Sequence, residues 1–290
     1  MDQVCGLFEV SRQAHSQKAQ REKEQGRQAE IILELVRQVR RKHPRMGTRK
    51  LLYKLQPMLA IEGLKMGRDR LFGLLKSQDL LVERKKIYRR TTIPGLWRAP
   101  NRLLGLTISH PNQVWVSDIT YLEMELNHFA YLFVLMDLFS RYIVGWQVAS
   151  SLSTDGALAS LHQALDQLSM DPANLIHHSD HGVQYTSHAY MDTLISHQIQ
   201  PSMGAVGNCY DNIFAERLIG ILKGEYGLDR PFVDYSQVLP AVEEVIVLYN
   251  TDRPHLSLNW AVPKEIYFGE RVDVTPLIIP IPEERWEYSH

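Results

Sequence analysis

Cysteine is almost missing from this 290-residue chain: Cys5 and Cys209 are the only two. Two thiols exclude a disulfide framework and a cysteine-rich zinc site. Long apolar runs are missing too. The most apolar segment, Phe129 to Phe139, is short and is interrupted by Asp137, so nothing approaches the roughly 18 residues of a membrane span. The opening MDQVCGLFEV lacks the basic-then-apolar order of a secretory leader. There is no internal repeat or low-complexity tract, and the composition is not that of a disordered chain or a fibre. These absences leave a cytoplasmic globular protein of one large or two modest domains as the expectation.

Net charge is also nearly absent, at −1, which would argue against a nucleic-acid partner if the charge were evenly spread. It is not. Residues 1–105 carry 24 Lys and Arg against 10 Asp and Glu, a net of +14, and residues 106–290 carry 8 against 23, a net of −15. A basic front joined to an acidic back points to two domains, one of which holds a polyanion.

Within the front, residues 9–28 are polar and read as a solvated helix or a tail. From Ala29 to His43 apolar residues recur at helical spacing until Pro44. A second helix opens at Gly47-Thr48, with Leu51, Leu52 and Leu55 inward, and ends at Gly63. A third spans about Gly67 to Asp79, with Leu71, Leu74 and Leu75 inward and Arg68, Arg70 and Lys76 outward. The basic stretch from Leu81 to Arg90 has strand propensity. Three short helices and a basic ribbon predict a winged helix-turn-helix that binds DNA, with Arg49, Lys50, Arg68, Arg70, Lys85 and Lys86 as candidate contacts. A solvated charged face is the plainer alternative.

Residues 93–112 are rich in proline and glycine and read as a linker. Beyond it, Val114–Tyr121, His128–Asp137 and Arg141–Val148 predict a three-strand meander. Ser153 is placed as the N-cap of a helix to about Leu168, with Leu158, Leu161 and Leu165 in register. Leu175–His178 predicts a strand, and helices are expected over 187–197, 211–226 and 236–250. The whole is an α/β fold, a mixed sheet flanked by helices. The domain expectation is a polar segment over 1–27, the DNA-binding domain over 28–92, the linker over 93–112, the catalytic core over 113–272 and a tail over 273–290.

Three acidic residues stand out by position: Asp118 at the end of the first strand, Asp180 just past a later one, and Glu216 within an amphipathic helix. Carboxylates gathered at strand ends repel unless a hard cation such as Mg²⁺ or Mn²⁺ holds them. Two such ions would serve an in-line phosphoryl displacement. Taken singly, each acid is as readily a cap or a solvated side chain, and spacing alone leaves that choice open. His177, His178 and His181 surround Asp180, but adjacent strand residues face opposite sides, so structural roles are preferred to zinc ligation.

Four ordered motifs carry a resemblance: VWVSDITYL at 114–122, HSDHGVQYTS at 178–187, GNCYDNIFAERLIGILKGEY at 207–226 and YNTDRPHLSL at 249–258. Together they resemble the catalytic core of bacterial insertion-sequence transposases with a retroviral-integrase-like active site of two aspartates and a glutamate. Thirty-five residues separate Asp180 from Glu216, and Lys223 follows Glu216 by seven, as in that family. The likeness extends over about residues 28–270, and the opening VCGLFEVSRQAH resembles the start of a second-frame product made by frameshifting.

The resemblance implies a ribonuclease-H-like fold. Asp118, Asp180 and Glu216 would be the catalytic, metal-binding triad with two Mg²⁺ or Mn²⁺ ions. Lys223 would contact a DNA phosphate, Asn212 would position DNA or brace the triad, and Arg253 would either contact phosphate or pair structurally. The implied reaction is cleavage of element ends and strand transfer. Implied partners are double-stranded DNA (terminal inverted repeats and target), further copies of the chain on that DNA and an upstream-frame protein, in a bacterial, nucleoid-associated setting without a membrane. A DNA-binding regulator derived from a transposase, or a purely hydrolytic nuclease of the same fold, is the rival reading.

Overall fold

A computed structural model describes residues 12–82, 99–168, 172, 174–204 and 212–281. The chain parts into two compact units between Arg84 and Lys85. In the first, α1 (Arg12–Lys42), α2 (Thr48–Ile61) and α3 (Arg68–Ser77) follow the predicted order. Residues 16–27 of α1 are exposed, so the polar start is the solvated helix and not a tail. The apolar spacing works as read: Ile32, Val36, Leu51, Leu55, Leu71 and Leu75 close one core, while Leu52 and Leu74 lie at its margin. The expected wing falls on residues 83–90, outside the described residues, as do Lys85 and Lys86.

In the second unit the meander appears as β2 (Val114–Glu123), β3 (Phe129–Asp137) and β4 (Ile143–Ala149), following a short β1 (Thr107–Ile108). Then come α4 (Thr154–Asp166), β5 (Ile176–Ser179), α5 (His188–Ser196), β6 (Gln200–Met203), α6 (Ile213–Tyr226), α7 (Tyr235–Thr251), α8 (Pro263–Tyr267) and β7 (Leu277–Ile278). The main sheet has the order β4-β3-β2-β5-β6. β2, β3 and β4 pair antiparallel, whereas β5 and β6 are parallel to β2. Two parallel strands added through helical crossovers give the mixed, helix-flanked sheet that was expected.

Alternation along β3 divides the core. Leu132, Val134 and Met136 pack with α6 and α7, through Ala215, Leu218, Leu222 and Val242. Phe133 and Leu135 pack on the opposite side with Ala157, Leu161, Tyr190 and Leu194 of α4 and α5.

Three details differ from expectation. Ser153 holds the extended backbone of an N-cap, but its hydroxyl caps nothing and bonds Asp155 Oδ2 at 3.3 Å. The buried face of α4 is Gly156, Ala157, Ser160, Leu161 and Ala164, with Leu158 and Leu165 at its edge. The cause is close approach: a Cβ on Gly145 of β4 would lie 2.0 Å from the Ser160 carbonyl oxygen, and one on Gly156 would lie 2.3 Å from Phe133. Finally, the inner ends of the expected linker and tail pair as a ribbon, β1 with β7, because Leu103, Ile108 and Ile279 are apolar enough to join the main core.

Gly145→Ala should therefore force strand and helix apart and destabilise the second unit by about 1–3 kcal/mol. Chemical denaturation that shows no loss of stability would refute this packing.

The free edge of β4 is covered by side chains. Asn250 accepts from Ile143 N–H at 2.9 Å and donates to Ile143 O at 3.1 Å. Gln163 accepts from Trp146 N–H at 2.6 Å, and Tyr235 donates to Val148 O at 3.3 Å. An edge blocked in this way cannot recruit another strand.

Candidate active site

The sheet register brings the first two acids together. Parallel pairing of β2 with β5 matches Val114 to Ile176 and Val116 to His178, and Asp118 and Asp180, each two residues past that last matched pair, line the same cleft. Adjacent strands stand about 4.8 Å apart, and Tyr121, Leu152, Gly182 and Gln184 also line this cleft. Asp118 Oδ1 accepts from Ile119 N–H at 2.8 Å, and Asp180 Oδ1 accepts from Gly182 N–H at 3.0 Å. Glycine suits position 182, where a Cβ would press on Asp180 Oδ1 at 3.0 Å.

Glu216 sits in the first turn of α6, which packs on β2. Asn212 anchors that helix start: it is buried, and its Nδ2 donates to Ser117 O at 3.2 Å, next door to Asp118. The Asn212 Oδ1 is buried without a partner.

Burial, then the negative charge of Asp180, and more weakly that of Glu216, push the Asp118 carboxyl well above its ordinary range, while the Ile119 N–H and the ammonium of Lys223 oppose them. Glu216 is also raised, first by burial and then by Asp180. The three acids thus act on one another electrostatically. They do not form a closed cage: among the described residues no three His, Cys, Asp or Glu side chains converge on one point. Residues 205–211, just before Asn212, lie outside the described residues.

Two of the three histidines, His177 and His178, are engaged by neighbours within the fold. His177 Nε2 and the Tyr190 hydroxyl are 2.9 Å apart, and burial, reinforced by His178, drops the imidazole to about 3, so it is neutral. His178 Nδ1 meets Ser202 Oγ on β6 at 2.9 Å.

Of the candidate DNA contacts, Arg49, Arg68 and Arg70 are exposed and Lys50 is half-buried. Arg68 also bonds its neighbour Asp69 at 2.8 Å. Lys223 lies close enough for its charge to act on Asp118.

Arg253 requires a correction, because its pairing role is the one present. It is 4% exposed, bonds both carboxylate oxygens of Glu225 at 2.9 and 3.0 Å, meets His255 Nε2 at 2.7 Å and lies 5.6 Å from the Tyr249 ring centroid. A guanidinium so enclosed has no free face for phosphate. With Asn250 on the β4 edge, the 249–255 motif is a lock between α6, α7 and the sheet.

Asp137 stands out in the sequence only as a break in an apolar run. In the fold it is fully buried at the end of β3. Its Oδ1 accepts from Ser140 N–H at 2.7 Å and from Ser140 Oγ at 2.5 Å, and its Oδ2 accepts from Asn112 N–H at 2.7 Å. The Asp-x-x-Ser spacing at a strand end is the signal that could have found it. Burial raises its carboxyl to about 6 despite these bonds.

A raised folded value means that this group's contribution is present at low pH and is lost as pH rises through about 6. Asp137→Asn should destabilise at every pH, because the Asn112 N–H loses its acceptor. It should do so by about 1–2 kcal/mol less at pH 8 than at pH 5. Equal losses in denaturation at both pH values would contradict that assignment.

Comparison with known proteins identifies the family. The family described as "Integrase core domain" matches residues 108–209, and a second family of that description matches 197–263. An uncharacterized 31 kDa protein of insertion element IS600 from Shigella sonnei is 34% identical over 88% of this chain and 94% of its own length. The transposase for insertion sequence element IS629 from Shigella sonnei is 32% identical over 73% of this chain and 71% of its own. Among solved structures, the HTLV-2 integrase catalytic core domain in complex with magnesium aligns with 55% of this chain and 97% of its own at 19% identity, with a TM-score of 0.44. The two core-domain matches and the near full-length sequence similarity decide it: the chain belongs to the insertion-sequence transposases that carry an integrase core domain.

Proposed function

We propose that Asp118, Asp180 and Glu216 are the catalytic and metal-binding residues of this DNA transposase. The observation that carries this reading is the cleft at the paired β2 and β5, which Asp118 and Asp180 both line while α6 brings Glu216 within electrostatic reach of both. The donor set suits a hard divalent cation: it is all oxygen, partly buried, and so self-repelling that burial and the neighbouring acids disfavour the ionised form of Asp118. Two Mg²⁺ or Mn²⁺ ions, when bound, would supply charge neutralisation at a scissile phosphate.

The protein's own side chains do the rest. Asn212 holds the start of α6, and with it Glu216, against β2. Lys223 offers an ammonium on the same helix, close enough to the cleft for a phosphate of the bound DNA end. The exposed Arg49, Arg68 and Arg70, with Lys50, Lys85 and Lys86, hold duplex phosphates, which position the DNA without reading its sequence. Water attacks the phosphodiester at the element's end and frees a 3′-OH. That hydroxyl then attacks a target phosphodiester and expels another 3′-oxygen, without a covalent protein intermediate. Terminal inverted repeats and target duplex are the substrates. Several copies of the chain assemble on them, together with an upstream-frame protein.

Incubation with Mg²⁺, labelled terminal-repeat duplex and a target duplex tests the reading. Joined products are expected. Nicked ends that never join would make the protein a nuclease of the same fold, and no cleavage at all would overturn the proposal.

A further inference from the structure

Residues 113–272 hold seven Lys and Arg, and two of them, close enough to repel each other, have no carboxylate partner among the described residues. Arg141 follows the β3–β4 turn, and its guanidinium lies 5.2 Å from the ring centroid of Phe214 on α6. Arg217 is on the same helix, three residues beyond Phe214, and i, i+3 positions are neighbours on a helix face. We infer that Arg141 and Arg217 form a phosphodiester-binding subsite on the flank of α6, outside the carboxylate cleft, for the DNA on which the enzyme acts. This rests on the DNA-transposing function proposed above.

Several observations support it. Arg141 Nη1 is buried and has no hydrogen-bond partner. Among the described residues neither arginine forms an ion pair, in contrast to Arg253 with Glu225 and Arg271 with Asp273. Asp137 attracts Arg141, but its carboxylate is already engaged by Ser140 and Asn112. The two guanidiniums repel each other, adding to the effect of burial on Arg141. The backbone of Arg141 is in the left-handed region, at φ 64°, where a non-glycine residue is strained.

An unpaired, repelling, strained arginine is costly for stability, and such costs persist where they serve binding. An anion of two or more oxygens would remove both the repulsion and the unmet donor, and guanidiniums suit phosphate oxygens. Position matters as well. Successive helix residues are about 100° apart, so Arg217 flanks Glu216 on α6, and a strand that crosses the helix meets the acid on one side and the cations on the other.

The test is binding of the full chain to a labelled terminal-repeat duplex, by fluorescence anisotropy, over a range of salt concentrations. Removing one cation that neutralises a phosphate lowers the slope of log affinity against log salt by about 1. Arg217→Gln should lower it by about 1, Arg141→Gln with Arg217→Gln by about 2, and Arg217→Lys should leave it near wild type. Arg217 is exposed on its helix, so its variants fold even if those of Arg141 do not. An unchanged slope in Arg217→Gln overturns the subsite while leaving the transposase reading in place. Wild-type protein that binds no duplex overturns both. If inorganic phosphate raises the melting temperature of wild type but not of Arg217→Gln, while the DNA slope is the same in both, the site takes a small anion and the inference fails.

Discussion

Asp118→Asn should abolish cleavage and strand transfer in the presence of Mg²⁺ while the metal-free protein remains folded and no less stable than wild type. The activity expectation follows from what the acid does. A divalent ion at a reacting phosphate supplies several kcal/mol of transition-state stabilisation, and each 1.36 kcal/mol is tenfold in rate, so the loss should be about 1000-fold or more. The stability expectation follows from the environment. The Asp118 carboxyl is disfavoured in its charged form by burial, by Asp180 and by Glu216. An amide of the same shape keeps the acceptor for Ile119 N–H and removes the repulsion. Both results come from one purified variant, by product formation on labelled duplexes and by thermal melting without metal. If more than about a tenth of wild-type activity survives, Asp118 is not in the site. A large drop in melting temperature would make it a structural acid.

Arg253→Ala should have the largest effect on stability, about 3–5 kcal/mol. That is the range for removing one partner of a buried ion pair, and Arg253 is itself almost wholly buried, though Glu225 is partly exposed. Glu225 would lose both of its bonds to the guanidinium, and His255 and the face of Tyr249 would lose their cationic neighbour. For a unit of this size the melting temperature should fall on the order of 10 °C. Arg253→Lys should recover little, because a point ammonium cannot reproduce two parallel bonds to one carboxylate. The salt dependence of DNA binding should be unchanged in any fraction that remains folded. A normal melting temperature with a reduced salt slope would restore Arg253 to the DNA surface.

The contrast between Arg253 and Arg141 shows how far residue type alone can be read. Arg253 sits in a motif and is by type equally suited to phosphate or to pairing; Glu225, 28 positions earlier, decides the matter. Arg141 is, in sequence, one more residue at a strand start, and becomes conspicuous only because no acid among the described residues forms an ion pair with it. Long-range partners settle both, and they carry no local signal. Asp137 is similar. An acid inside an apolar strand is visible at once, but its bonds to Asn112 and Ser140 depend on a turn and a loop that meet only in the folded sheet.

By itself the sequence determined the elements and the chemistry. Runs of apolar, β-branched and aromatic residues specified β2, β3 and β4, helical spacing specified the three basic helices, and the ordered motifs pointed to two aspartates and a glutamate for phosphoryl transfer. Those signals are local, since a strand writes its residue types and a helix its period into the chain. Only the tertiary structure decided which helix face is buried, where the flanking segments go and how the acids meet. On α4 the leucine spacing yielded to a strip of glycine, alanine and serine, because the β4 backbone comes too close for larger side chains. The pairing behind the cleft that Asp118 and Asp180 line joins strands separated by α4 and two other strands. Such pairing is set by the packing of the whole sheet, a sum over many distant contacts that no window of sequence contains.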